Sequence, residues 1–309
     1  MTAMDNKDTP LLGALARGAF HCLSFVGRPI GGIRPRRIYE IIGRRAWPTP
    51  AYRWHRNRWG DELWVSPHRH IDRCVLAFGC YDPDLHCALE HLLQPGWACL
   101  DVGANFGELA LHMARIVGAT GVVHAFEPAP SQFTRLRQHA DRNGNRVHCH
   151  QMALSDHSGQ ITMAVPTESA DNQGLGTILA SAPPNGYATS PVQTMTLDEF
   201  ADKHSLARLD FVKLDVQGAE PLVLLGGMNT IRRFMPLIAS EISPSDLAAT
   251  GRTSRQYCDM LTGLGYAIHH LTRRGIGRKI ATIADDFYAT NVLFVPSHPP
   301  VRTNSPMMI

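Results

Sequence analysis

Residues 97–130 read WACLDVGANFGELALHMARIVGATGVVHAFEPAP, and this stretch decides the fold. An apolar run over 97–102 carries Asp101 near its end and gives way to a glycine turn. Over 106–117 the apolar residues Leu109, Met113 and Ile116 recur at helical spacing, and 122–126 is a second apolar run that stops at Glu127 and Pro128. Strand, helix and strand within about thirty residues make one crossover unit of a parallel sheet.

The alternation continues outward from there. Downstream, 131–143 reads as an amphipathic helix whose exposed side carries Arg135, Arg137 and Arg142, and 147–154 as a third strand. An extra hairpin is expected from 159–165 and 192–195, separated by a loop over 168–191 rich in Gly, Ser, Pro and Asn. A fourth parallel strand over 209–214 leads into a helix at 219–225, and strands at 237–242, 266–271 and 291–295 complete the sheet. Upstream, Leu85, Leu89, Leu92 and Leu93 mark a helix that Gln94-Pro95-Gly96 stops. The expected fold is α/β, a Rossmann-like doubly wound and mostly parallel sheet with an N-terminal extension. Its divisions are a basic leader (1–45), a cap with short strands containing Trp54, Trp59, Leu63, Trp64 and Val65 (46–93), the α/β domain (94–297) and a tail (298–309).

The net charge of +3 hides an asymmetry. Residues 1–60 hold 11 Lys/Arg against 3 Asp/Glu, or +8, whereas the rest holds 19 against 24, or −5. That leader suits peripheral contact with an anionic membrane or a phosphorylated carrier, or else is a solvated extension. The apolar run over 10–26 is interrupted by Arg17 and His21, so it reads as interfacial at most and not as a spanning helix or signal peptide. The seven cysteines show no pairing rhythm, which points to a reducing, cytoplasmic setting, at most peripheral at the inner membrane face; Cys99 and Cys149 read as core residues. The histidine pairs His68/His70 and His148/His150 lack companion ligands at metal spacing, so no metal is expected. Nothing points to nucleic acid.

Ligands of an open parallel sheet bind beyond the carboxyl ends of its strands. Three such ends carry polar groups: Asp101 with Gly103-Ala104-Asn105-Phe106-Gly107, Glu127 with Pro128, and Lys213-Leu214-Asp215-Val216-Gln217-Gly218-Ala219-Glu220. Small residues in the first loop allow a ligand to approach the backbone, and Asn105 tolerates positive φ. Glu127, 26 residues beyond Asp101, can accept hydrogen bonds from both hydroxyls of an adenosine ribose, or can simply cap the next helix. Lys213 and Asp215 share one side of their strand, so the cation keeps the acid ionised; a plain salt bridge is the alternative.

These segments resemble the FkbM-type methyltransferases. The likeness is carried by Asp-Val-Gly-Ala-Asn-x-Gly at 101–107, Ala-Phe-Glu-Pro-x-Pro at 125–130, Ala-Leu-Ser-Asp at 153–156 and Thr-Leu-Asp-Glu-Phe at 196–200. The segment 210–220 and the late Asn-Val-Leu-Phe at 291–294 extend it, in order, across about 80–297; Gln217 stands where the family often has Glu. The resemblance implies a class I methyltransferase fold that uses S-adenosylmethionine to methylate a hydroxyl of a sugar, glycan precursor or secondary metabolite. It further implies that the loop Asp101, Gly103, Ala104, Asn105, Phe106 and Gly107 faces the methionine part of the cofactor. Glu127 would hold the ribose, Ala153, Leu154 and Ser155 would border the adenine, and Asp215 would lie near sulfonium and acceptor.

The chemistry agrees. The cofactor is a cation without phosphates, which suits carboxylates at strand ends, whereas a dinucleotide needs a phosphate-binding helix N-terminus and the G-x-G-x-x-G spacing that this loop lacks. A hydroxyl acceptor loses a proton as it attacks, so a base is required. Asp215 is the first candidate, oriented by Lys213 and Glu220, and Glu241 at the end of the next strand is the second. The alternatives are a nicotinamide-dependent oxidoreductase and a non-catalytic adenosyl-binding module on the same fold.

Overall fold

In the computed structural model, residues 51–167, 177–178 and 185–298 are described. The basic leader, the apolar run over 10–26, most of the loop over 168–191 and the tail lie outside them. The chain divides into two compact units, the first ending at Pro83 and the second beginning at Asp84.

In the first unit, β1 (Arg53–Arg56) and β2 (Glu62–Val65) pair antiparallel, with Trp54 opposite Trp64. Asn57 closes the turn: its Oδ1 accepts from the backbone N–H of Trp59 and of Asp61, each at 2.9 Å. Helix α1 (His70–Phe78) follows and ends on Gly79, whose φ of 80° supplies the left-handed cap.

Helix α2 (Pro83–Leu92) has all but its first residue in the second unit, which continues through β3 (Ala98–Val102), α3 (Glu108–Val117), β4 (Val122–Phe126), α4 (Pro130–Arg142) and β5 (His148–His150). Next come β6 (Ala153–Leu154), β7 (Gly159–Pro166), β8 (Thr177–Ile178), β9 (Tyr187–Met195), α5 (Leu197–Lys203), β10 (Phe211–Leu214), α6 (Glu220–Leu225) and α7 (Met228–Phe234). The chain then forms β11 (Leu237–Ile242), α8 (Pro244–Leu247), α9 (Ser254–Thr262), β12 (Tyr266–Thr272), β13 (Gly275–Lys279) and β14 (Ala289–Pro296).

Eight strands form the main sheet in the order β13-β12-β14-β11-β10-β3-β4-β5. β11, β10, β3, β4 and β5 are mutually parallel, and β14 runs antiparallel between β11 and β12. Every residue of β3 and β10 is buried, as covering helices on both faces require. From β3 the chain steps outward to β4 and β5, then returns across β3 to β10. Strand order therefore reverses between β3 and β10, which is where an open α/β sheet forms its ligand crevice. The expected Rossmann-like sheet is the observed one.

Local departures have physical causes. The third strand breaks after His150: Ala153 and Leu154 leave the main sheet and pair parallel with Thr194 and Met195 in a second sheet ordered β6-β9-β7-β8. The expected hairpin is the β7/β9 pair of that sheet, in register from Gly159↔Thr194 to Pro166↔Tyr187. Arg135 is buried, not exposed, because its guanidinium stacks 4.4 Å over the Phe106 ring and bonds Gln132. Helix α3 turns Ala110, Met113, Ala114 and Val117 inward, leaving Leu109 and Ile116 half-buried. Cys99 is a core residue, whereas Cys149 on the edge strand is half-buried.

Candidate active site

The first loop leaves β3 at Val102 and is hung from the neighbouring strand. The backbone N–H groups of Gly103 and Ala104 both donate to the Phe126 carbonyl, at 3.0 and 2.9 Å. Gly103 (φ 86°) and Gly107 (φ 85°) take left-handed conformations, and so does Asn105 (φ 51°). A Cβ at Gly103 would stand 1.9 Å from the Asp215 carbonyl oxygen, so the first loop touches the loop that follows β10. The Phe106 side chain points elsewhere, packing edge-on against His139 and under Arg135.

Glu127 joins the first loop to the second strand end. Its Oε2 accepts from the Asn105 N–H and its Oε1 from the Ala129 N–H, both at 2.8 Å. Ala129 is the residue that caps α4, so the helix-capping alternative holds in part. Each oxygen still has a lone pair free for a ligand hydroxyl.

Asp101 lies across the sheet from Lys213, its register partner on β10. Asp101 is 2% exposed, and its Oδ2 has no hydrogen-bond partner among the described residues. Lys213, equally buried, reaches over Leu214 so that Nζ donates to the Leu214 carbonyl at 3.2 Å and lies 3.4 Å from Asp215 Oδ2. The other Asp215 oxygen accepts from Gln217 Nε2 at 2.9 Å. Gln217 holds a φ of 54°, and Glu220 locks the turn by accepting the Val216 N–H at 2.8 Å. Glu220 therefore positions the loop and makes no hydrogen bond to Asp215.

Glu241 stands at a bulge, because the β11/β14 register shifts between Ser240 and Ile242. Bulges re-aim side chains beside active sites. The Glu241 carboxylate takes no hydrogen bond from the described residues and is electrostatically linked to Asp215, Lys213, Glu220 and Asp246.

Burial is the leading influence on these acids. It pushes Asp101, Glu127, Glu220 and Glu241 up to about 7 each. Lys213 opposes the rise at Asp101, the Ala129 and Asn105 N–H groups oppose it at Glu127, and the Asp215 charge adds to it at Glu241.

Asp101, Glu127, Asp215, Lys213, Glu220 and Glu241 thus share one end of the parallel strands. The segment 153–155 contributes differently. Leu154 belongs to the hydrophobic core, and Ser155 bonds to the Met195 carbonyl and to Asp156. No sequence pattern singles out Gln217 as the group that orients Asp215, nor the buried pair His86 and Glu108, whose charges act on Asp101. The available signal for Glu108 was an acid placed directly after the last glycine of the loop.

The Methyltransferase FkbM domain matches residues 101–268, more than half of the chain. The chain belongs to the FkbM methyltransferase family. The match begins on Asp101 and contains Glu127, Lys213, Asp215, Glu220 and Glu241, so the strand-end cluster lies within the family's domain. The 31-O-demethyl-FK506 methyltransferase FkbM of Streptomyces tacrolimicus is 30% identical over 192 residues, 54% of this chain and 69% of its own length. The hexuronic acid methyltransferase AglP of Haloferax volcanii is 34% identical over 132 residues, 43% of this chain and 50% of its own length. The 2-O-methyltransferase NoeI of Sinorhizobium fredii is 25% identical over 188 residues, 57% of this chain and 76% of its own length. This FkbM-family protein is a methyltransferase, which sets aside the oxidoreductase alternative. Among its described residues no group of three or more His, Cys, Asp or Glu is placed to hold a metal, and no helix is long and apolar enough to cross a membrane.

Proposed function

We propose that this methyltransferase uses S-adenosylmethionine and delivers its methyl group to a hydroxyl oxygen of a sugar, glycan precursor or related small metabolite. The observation that carries the reading is the gathering of carboxylates around one lysine at the reversal of strand order. Such a site suits a cationic ligand with ribose hydroxyls and has no phosphate-binding loop. The buried Asp101 Oδ2, without a hydrogen-bond partner among the described residues, and the spare lone pairs of Glu127 fit such a ligand. The oxygen-directed and sugar-directed relatives support the choice of acceptor.

When bound, the cofactor supplies an electrophilic methyl on a positively charged sulfur. The 103–107 loop and Asp101 face its amino-acid end, Glu127 holds the ribose, and the backbone near Ala153 borders the adenine. Asp215, with Lys213 and Gln217 on its two oxygens, is the fixed counter-charge. Glu241, with a carboxylate free of such partners, takes the proton of the attacking hydroxyl. That order of roles reverses the expectation from sequence, in which Asp215 came first.

The test is calorimetry with S-adenosylhomocysteine, followed by screening of glucuronides and other glycosides with a radiolabelled methyl donor and mapping of the methyl by mass spectrometry. Micromolar binding and an O-methyl product are expected. Absence of binding by the intact chain would overturn the reading, and a product methylated on nitrogen or carbon would overturn its choice of acceptor.

A further inference from the structure

With no hydrogen bond to its carboxylate from the described residues, Glu241 is aimed by its backbone. That backbone leaves both neighbouring ladders at this residue. β10 pairs with β11 only as far as Ser240, and the register with β14 steps from Ser240 to Ile242. A residue at such a step lacks the paired neighbours that hold the rest of its strand, so its peptide plane needs another anchor.

Helix α9 supplies one. Ser240 Oγ donates to the Glu241 carbonyl at 2.9 Å and lies 2.7 Å from the Tyr257 hydroxyl oxygen. A serine hydroxyl has one proton, and here it is given to the carbonyl, so Tyr257 is the donor of the second bond. Both side chains are fully buried. The Tyr257 ring meets Phe294 of β14 edge-on at 6.0 Å, and a capping box between Thr253 and Gln256 closes the start of its helix. A two-bond relay thus runs from a braced helix to the peptide between Glu241 and Ile242. A buried tyrosine hydroxyl ordinarily settles for a nearby acceptor. Tyr266 does so, donating to the Pro236 carbonyl at 3.0 Å just before β11 begins. Tyr257 donates instead to a serine whose own proton goes to the residue bearing the free carboxylate.

We infer that Tyr257, acting through Ser240, is a positioning residue for methyl transfer: the relay pins the peptide after Glu241 and so holds the aim of its carboxylate. The inference rests on the reading that Glu241 takes the proton of the attacking hydroxyl. A relay that merely ties α9 to β11 would lower stability when cut, but it would leave the surroundings of the carboxylate as they were.

The experiment is a pH titration of the full chain, labelled with carbon-13 at its glutamate carboxyls and followed by NMR from pH 5 to 9. The chains compared are wild type, Tyr257→Phe, Ser240→Ala and Tyr266→Phe, with the Glu241 signal assigned by its loss in Glu241→Gln. Burial holds Glu241 up to about 7, and the charges acting on it, those of Asp215, Lys213, Glu220 and Asp246, are unchanged in the three test variants. A shift of its midpoint therefore reports access of water to the carboxylate. Tyr257→Phe and Ser240→Ala should each lower the midpoint by about one unit as the released peptide lets the carboxylate turn toward water. Tyr266→Phe, which loses a comparable bond at the other end of β11, should lower the melting temperature and leave the midpoint in place. Tyr257→Phe keeps its ring and decides the matter alone should Ser240→Ala not fold. An unmoved midpoint in Tyr257→Phe, or an equal shift in Tyr266→Phe, overturns the inference. Wild-type turnover in Glu241→Gln would instead show that the base role has failed, whatever the relay does to the carboxylate.

Discussion

Replacing Gly103 by alanine tests how closely the two strand-end loops must meet. Gly103 holds a φ of +86°, and its added Cβ would stand 1.9 Å from the Asp215 carbonyl oxygen and 2.9 Å from its carbon. Normal contact between such atoms is well over 3 Å, so the two loops would have to part by roughly 1 Å. Gly144 isolates the conformational part of the cost, since its φ is +85° and nothing lies within 4 Å of an added Cβ. Alanine at 144 should cost roughly 1 kcal/mol for the left-handed backbone alone. Alanine at 103 adds an overpacking cost of roughly 1–3 kcal/mol, for a total of roughly 2–4 kcal/mol. The displacement also travels to Glu127, because the same loop holds that carboxylate through the Asn105 N–H. Urea unfolding of the two variants should therefore differ by at least ~1 kcal/mol. Affinity for S-adenosylhomocysteine should fall at least about tenfold in Gly103→Ala and stay unchanged in Gly144→Ala. Equal stabilities with intact binding in both variants would refute the claim that loop contact shapes the crevice.

Three further expectations concern proton transfer, acid stability and the leader. Glu241→Gln should lower kcat by about 10²–10⁴-fold while leaving S-adenosylhomocysteine binding intact, and wild-type turnover should rise with pH through about 7, where the Glu241 proton is lost; turnover equal to wild type would exclude the base role. His124 is held down to about 3 by burial and by His150, His148 and His204. The unfolded chain therefore takes up this proton first, so the contribution of His124 is whole above about pH 6.5 and is lost as pH falls toward the folded value, costing roughly 2 kcal/mol at pH 5. The raised carboxylates act in the opposite direction, so the measurement is the loss in melting temperature from pH 7.5 to 5.0, which should be smaller in His124→Phe than in wild type. Deleting residues 1–45, where most of the +8 of residues 1–60 resides, should weaken binding to anionic vesicles at low salt; unchanged binding would leave the leader without an electrostatic role.

Much of this arrangement was readable from local pattern. The strands at 122–126 and 237–242 are the observed ones, and the loops after Asp101 and Leu214 fall at the reversal of strand order. What escaped was decided by distant partners. Nothing in 147–154 announces a break at Gln151, because the switch of Ala153 and Leu154 to a second sheet depends on Thr194 and Met195, some forty residues on. Arg135 looks like a surface residue until Phe106 and Gln132 close over it. Phe106 stands inside the ligand loop yet is a core residue, since the turn that presents Asn105 drives the next side chain under α4. Glu241 reads as an acid at a strand end, but the bulge that frees its carboxylate belongs to the pairing of β11 with β14.

The backbone marks the same crevice independently of any carboxylate. Among the described residues, five non-glycine residues hold positive φ: Asn105, Asn145, Ser205, Gln217 and Met235. Asn145, Ser205 and Met235 follow the ends of α4, α5 and α7, where a left-handed residue closes a helix as a matter of course. Asn105 and Gln217 follow β3 and β10 instead, one in each loop of the crevice. Glycine would relieve the strain at either position, a cost of order 1 kcal/mol or more each. It would also delete the Gln217 amide that holds Asp215 Oδ1, and the Asn105 Oδ1, which is buried without a partner among the described residues. Strain retained at these two positions is therefore strain retained for the side chains, and both belong to the loops that meet at Gly103.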